Sequence, residues 1–150
     1  MIVNRLAELG YPFEVPEPRN GRFSQAVRAG DLVFVSGQLP VLRDEEIKGK
    51  VGTDVNFELA QRAAELCTYN CLCAFATVAD IDSIDQVVKV FGMVNVGDGF
   101  DDTSGVINAS SAFLRNVLGE RGWHARSAVG MVIPANWAVE IEMIFSVSGS

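Results

Sequence analysis

One segment limits the choice of fold more than any other. In Ile84–Val96, residues Val87, Val88, Val90, Phe91, Met93 and Val94 fall at both parities of an extended chain. Side chains alternate between faces along a strand, so a run that is apolar and β-branched on both is a strand covered from two sides. A single layer of helices can cover one side only. The sequence therefore predicts a sheet packed on helices with its other face given to a second partner, most simply another copy of the same chain.

The helices for the first side are legible. Over residues 54–79, Phe57, Ala60, Ala64, Cys67, Cys71, Ala74 and Val78 recur at spacings of three and four, one continuous apolar stripe with Asp54 as the expected cap. Val106–Leu118 predicts a second helix, with Ile107, Phe113, Leu114, Val117 and Leu118 on its inner face and Gly119 ending it. Phe23–Ala29 and Leu32–Ser36 read as a hairpin around Gly30, with loops at Leu42–Thr53 and Gly97–Gly105. His124–Ile133 is a strand. In Trp137–Val147, Val139, Ile141, Met143, Phe145 and Val147 alternate with Glu140, Glu142, Ile144 and Ser146. The order β-β-α-β-α-β-β, with hairpins at both ends, predicts an α+β domain with two helices on one face of a mixed sheet. At 150 residues the chain is expected to be one domain. Residues 1–22 form an extension that opens with a short amphipathic helix ending at Gly10.

Charge and cysteine usage narrow the function. Twelve basic against nineteen acidic residues give a net charge of −7. That balance disfavours nucleic acid and anionic membrane surfaces, which need clustered cations. No run approaches a membrane span, and Glu8 interrupts the start as a signal peptide. Cys67, Cys71 and Cys73 crowd into one helix and are expected to be small buried hydrophobes rather than a disulfide framework. With His124 the one histidine and remote in sequence, no metal site is expected, and a cytoplasmic setting follows.

Three features could carry chemistry. Arg126 lies in a strand of small residues, Ala125, Ser127, Ala128 and Gly130, where a guanidinium has room to grip a carboxylate with two parallel bonds. A structural ion pair with Glu140 or Glu142 is the competing reading. Glu140 and Glu142 share the polar face of the last strand, about 7 Å apart. Either could orient a water as general base, or simply be solvated. Asn108, beside Ser110 and Ser111, opens the second helix and could be a cap. His124, two residues before Arg126, is expected to neighbour the same site.

Taken in order, Phe23-Ser24-Gln25-Ala26-Val27, Ser36-Gly37-Gln38-Leu39-Pro40, Val106-Ile107-Asn108-Ala109, Ala125-Arg126-Ser127-Ala128-Val129 and Val139-Glu140-Ile141-Glu142 resemble the reactive intermediate deaminase family. This family is also called Rid, YjgF or L-PSP endoribonuclease-like. The resemblance implies a chorismate-mutase-like fold and a homotrimer with its sheets packed centrally and clefts between subunits. It implies hydrolysis of enamines and imines such as 2-aminoacrylate to a 2-keto acid and ammonia, without a cofactor. By position, Arg126 matches the arginine that binds the substrate carboxylate, and Glu140 the glutamate that places the attacking water. Phe23, Ser36, Gly37, Asn108 and Ala128 match cleft positions. Phe23 stands where tyrosine is usual, Ala128 where cysteine is common, and Trp123-His124 where a proline is common, which marks a divergent subgroup. A carboxylate-binding protein without turnover is the alternative, and RNA cleavage, attributed to some relatives, is disfavoured by the charge.

Overall fold

The computed structural model describes residues 1–148. The chain runs α1 (Ile2–Glu8), β1 (Ala26–Ala29), β2 (Leu32–Gln38), β3 (Val41–Leu42), β4 (Glu45–Glu46), α2 (Phe57–Phe75), β5 (Ile84–Asn95), α3 (Thr103–Leu118), β6 (Ala125–Met131) and β7 (Val139–Val147). Five strands form a mixed sheet in the order β1-β2-β7-β5-β6, and β3 with β4 makes a separate small hairpin. Only the β5–β6 pair is parallel, joined through α3, and the other neighbours are antiparallel. This is the expected α+β arrangement, with α2 and α3 side by side on one face of the sheet and α1 as a third helix. The β1–β2 hairpin is as expected, but β6 and β7 do not form the second one: β5 lies between them, because α3 carries the chain back to lay β6 parallel to β5 at the sheet edge.

Small residues decide how closely the layers approach. Ala60, Ala64, Cys67, Cys71 and Ala74 line the inner stripe of α2 and are all fully buried. Their short side chains let α2 lie against β7, so the Cys67 thiol reaches the Val139 carbonyl at 3.5 Å and Cys71 reaches that of Ile141 at 3.4 Å. Burial pushes both thiols well above the ordinary range, which leaves them inert hydrophobes, as expected. Gly92 does the same for α3, since a β-carbon there would overlap Ile107. Thr68 and Ser110 share a hydrogen bond where the two helices meet.

Several boundaries differ from the sequence reading. The cap of α2 is Asn56, whose side chain accepts from Leu59 N at 2.8 Å, because Asp54 is turned back to accept from Lys50 N at 2.9 Å. The start of the expected Leu42–Thr53 loop instead belongs to the β3–β4 hairpin, which spans residues 41–46. α2 pins it, Asn70 Nδ2 donating to the carbonyls of Leu39 and Val41 and Arg62 pairing with both oxygens of Glu45. α3 begins earlier, at Thr103, capped by Asp102, so Asn108 lies inside the helix and is not its cap. Phe23 stands outside β1, in a turn where its amide donates to Asn20 Oδ1.

The other face of the sheet is open in the single chain. Leu32 and Phe34 of β2, Val88 of β5 and Val129 of β6 are exposed, although each belongs to a regular strand. Of the surplus apolar face anticipated for Ile84–Val96, Val88 is exposed, Phe91 is partly covered and Met93 is buried within the single chain, and the exposed apolar residues continue on β2 and β6.

Candidate functional site

The sheet register places the two leading candidates on opposite faces. Arg126 is paired with Val90, and Val90 with Met143, which is buried under the helices. Glu140 is paired with Met93, and Met93 with Val129, which is exposed on the open face. Directly paired residues share a face, so Arg126 points to the helix side and Glu140 to the open side. One chain does not bring them together.

Arg126 sits on the edge strand β6, under α3. Its Nη1 donates to Asn108 Oδ1 at 2.8 Å and to Ser111 Oγ at 3.2 Å, and its Nη2 to Ser104 Oγ at 2.7 Å. All three acceptors are neutral. Among the described residues no carboxylate makes a salt bridge with Arg126, which removes the ion pair with Glu140 or Glu142 as its role. A guanidinium has five N–H groups. The Nε–H and one Nη2–H remain for a ligand.

His124 adjoins this arrangement, as its spacing from Arg126 suggested. Its Nδ1 donates to the Gly122 carbonyl at 2.6 Å, and this fixes Nε2 as the acceptor from Ser111 Oγ at 2.8 Å. Burial lowers the pKa of the ring, and the nearby Arg126 and Arg115 lower it further, so the imidazole is neutral. Ser111 thus accepts from Arg126 and donates to His124. Asn108, Ser111, Arg115, Trp123, His124 and Arg126 line a cleft of about 240 Å³.

Ser104, Ser111 and Arg115 were not singled out for this cleft from sequence. Their signal is positional, because Ser104, Asn108, Ser111 and Arg115 are spaced four, three and four apart and so form one polar stripe on α3.

On the open face, Glu140 lies against Gly37. A β-carbon at Gly37 would overlap the carboxylate, so only glycine leaves room for it. Gly37 sits at a register shift between Val35 and Gln38, a bulge in β2 that brings its backbone toward β7. Burial raises the pKa of Glu140, and Glu142 beside it adds to the rise. The Ser36 hydroxyl is committed, donating to the Ser24 carbonyl at 2.7 Å. It fixes the bulge against the turn that carries Phe23, which is 56% exposed. Ala128 lies on the helix side with Arg126, its carbonyl accepting from Thr103 Oγ1 at 3.1 Å. The candidates thus divide into a helix-side group of Arg126, Asn108 and Ala128 and an open-side group of Glu140, Gly37, Ser36 and Phe23. Among the described residues no group of three His, Cys, Asp or Glu could hold a metal ion.

The model of the endoribonuclease L-PSP family matches residues 15–147. The chain belongs to this family, the one also called Rid or YjgF. A RutC family protein, y4sK of Sinorhizobium fredii, is 32% identical over 128 residues, spanning 85% of this chain and 89% of that protein. The crystal structure of Atu1372 of Agrobacterium tumefaciens, a protein of unknown function, is similar with a TM-score of 0.87 and 40% identity, covering 97% of this chain and 91% of that one. RidA of an Antarctic Psychrobacter shares the L-PSP fold at a TM-score of 0.55 and 25% identity, covering 89% and 94%.

Proposed function

We propose that this L-PSP family member hydrolyses reactive enamines and imines derived from amino acids to 2-keto acids and ammonia, in clefts between the subunits of a homotrimer. The observation that carries the reading is the state of Arg126. It is held by three neutral oxygens, has no carboxylate partner among the described residues, and keeps two N–H groups free at a cleft. An oriented guanidinium without a counterion suits a carboxylate ligand.

Glu140 supplies the complementary part. Its carboxylate is half-buried and its pKa raised, properties of a general base. Because it lies on the opposite face from Arg126, a site that uses both takes Arg126 from one copy and Glu140 from its neighbour. The exposed apolar face of β2, β5 and β6 supports such an assembly.

The reaction needs little more. An enamine becomes the protonated imine by taking a proton from solvent on its terminal carbon. With the substrate carboxylate on Arg126, Glu140 takes a proton from water as the water oxygen bonds to the imine carbon and the electron pair of the C=N bond moves to nitrogen. Glu140 returns that proton to nitrogen. Ammonia then leaves with the C–N electron pair as the hydroxyl proton passes to solvent and the C=O bond forms. Imines are electrophilic, so holding the substrate and placing the water are the main tasks.

The alternative, a carboxylate-binding protein without turnover, is favoured by one feature, the absence of a hydroxyl at Phe23 in the turn beside Ser36. RNA cleavage, the activity in the family's description, is disfavoured by the net charge of −7. The test is an assay in which 2-aminoacrylate is generated in situ and keto-acid release is followed. Acceleration lost in both Arg126→Gln and Glu140→Gln supports the deaminase. Saturable keto-acid binding without acceleration supports the alternative.

A further inference from the structure

The cleft that holds Arg126 contains a second arginine. Arg115 lies two turns after Asn108 and one after Ser111 on the same stripe of α3, so it extends the wall that positions Arg126 by about 6 Å. Its guanidinium stacks on the ring of Trp123 at 4.2 Å. An arginine in the last turn of a helix ordinarily turns to the terminal carbonyls. Arg115 donates no side-chain hydrogen bond and forms no ion pair among the described residues. Glu120 lines a neighbouring groove together with Arg115 and Trp123 and is not within ion-pair distance of Arg115.

Two cations without counterions at one small cleft are unusual in a chain with nineteen carboxylates and twelve basic residues. Like charges repel, and the arrangement is relieved when a ligand brings an anion to each. Trp123 holds Arg115 by cation–π stacking, which leaves its N–H groups free at the ring's edge. From this pair of guanidiniums in one cleft we infer that the protein prefers substrates with a second carboxylate, imines or enamines of short dicarboxylic amino acids, with Arg115 receiving the side-chain carboxylate. The inference rests on the deaminase reading for its substrate class, but the recognition it describes is independent of turnover.

The experiment compares the imines released when amino-acid oxidases act on aspartate or glutamate with the imine from alanine, at fixed ionic strength. The expected result is a kcat/KM at least about tenfold higher for the dicarboxylic imines, a ratio that falls to about one in Arg115→Met. Arg115→Lys, which keeps the charge, retains part of the preference, whereas a purely structural role for the stacked guanidinium would not be rescued this way. A wild-type ratio near one, or a ratio that Arg115→Met leaves unchanged, overturns the inference even if both imines are turned over. If neither imine is hydrolysed faster than in buffer, the deaminase reading fails and calorimetry decides this one alone. Tighter binding of 2-oxoglutarate than of 2-oxobutanoate, lost in Arg115→Met, sustains it, and equal binding of the two removes it.

Discussion

The carboxylate of Glu140 lies over Gly37, in space that any side chain at position 37 would take. This contact ties the bulge in β2 to the proposed base on the open face. Gly37→Ala should push the carboxylate aside while leaving Arg126, on the other face, untouched. The expected outcome is a fall in kcat of about tenfold or more with KM nearly unchanged, since misplacing a base affects the chemical step. Steady-state kinetics on an in-situ imine would check it, and an equal loss through KM would contradict the placement.

Arg126 should act through binding. Arg126→Gln removes the charge from a cleft whose other contacts are neutral, and kcat/KM should drop by about 10- to 100-fold, mostly in KM. Arg126→Lys should restore little, because an ammonium cannot reproduce the fork that donates to Asn108, Ser111 and Ser104. Calorimetry with a 2-keto acid reads the same loss without turnover.

The elevated pKa of Glu140 makes two statements about pH. Activity should rise with pH through that pKa, because the base must be ionised, and Glu142→Gln should move the inflection to lower pH by removing its second cause. For stability the sign is opposite to that of a salt-bridged carboxylate. An unfolded glutamate titrates near ~4.3, and Glu140 titrates higher when folded, first because it is buried. Between those values the folded state holds more protons, so stability falls as pH rises through the window. Glu140→Gln should therefore be inactive yet melt higher at neutral pH, with the advantage gone below the unfolded pKa. A lower melting temperature at neutral pH would show that the ionised carboxylate is stabilised in the fold.

How much of this was legible in the sequence depended on the range of the interaction involved. The alternation of Val139–Val147 and the Ala60–Ala74 part of the α2 stripe depend on local periodicity, and both appear where expected, whereas Phe57 at the start of α2 is exposed and Val78 lies beyond its end. The β3–β4 hairpin depends on Asn70 and Arg62 of α2, distant in sequence, and was invisible. Arg126, Glu140 and Asn108 could be picked out as residue types, but their distribution over two faces depends on the register of β5 with β6 and β7. No window of sequence contains that register. Arg115 was missed because a basic residue in a last helical turn has an ordinary explanation.

The open face gives a prediction about assembly. Phe34 is 43% exposed in the middle of β2, paired with Ile144 across the sheet. Phe34→Asp places a charge where the proposed trimer would be dry, and should yield a monomer by light scattering. Activity should vanish with the trimer, although Arg126 and Glu140 are both intact. A trimeric, active Phe34→Asp variant would place the interface elsewhere.

Subunit complementation tests the two-face site most directly. Arg126→Gln and Glu140→Gln proteins are each prepared, assayed at low substrate where each has lost most of its activity, then unfolded, mixed equally and refolded together. If each cleft takes Arg126 from one copy and Glu140 from its neighbour, random mixing restores both residues in about one cleft in four, and deaminase activity should return toward that fraction of wild type. If the mixture stays as inactive as its components while hybrid trimers form, both residues serve the same chain's cleft and the account is wrong.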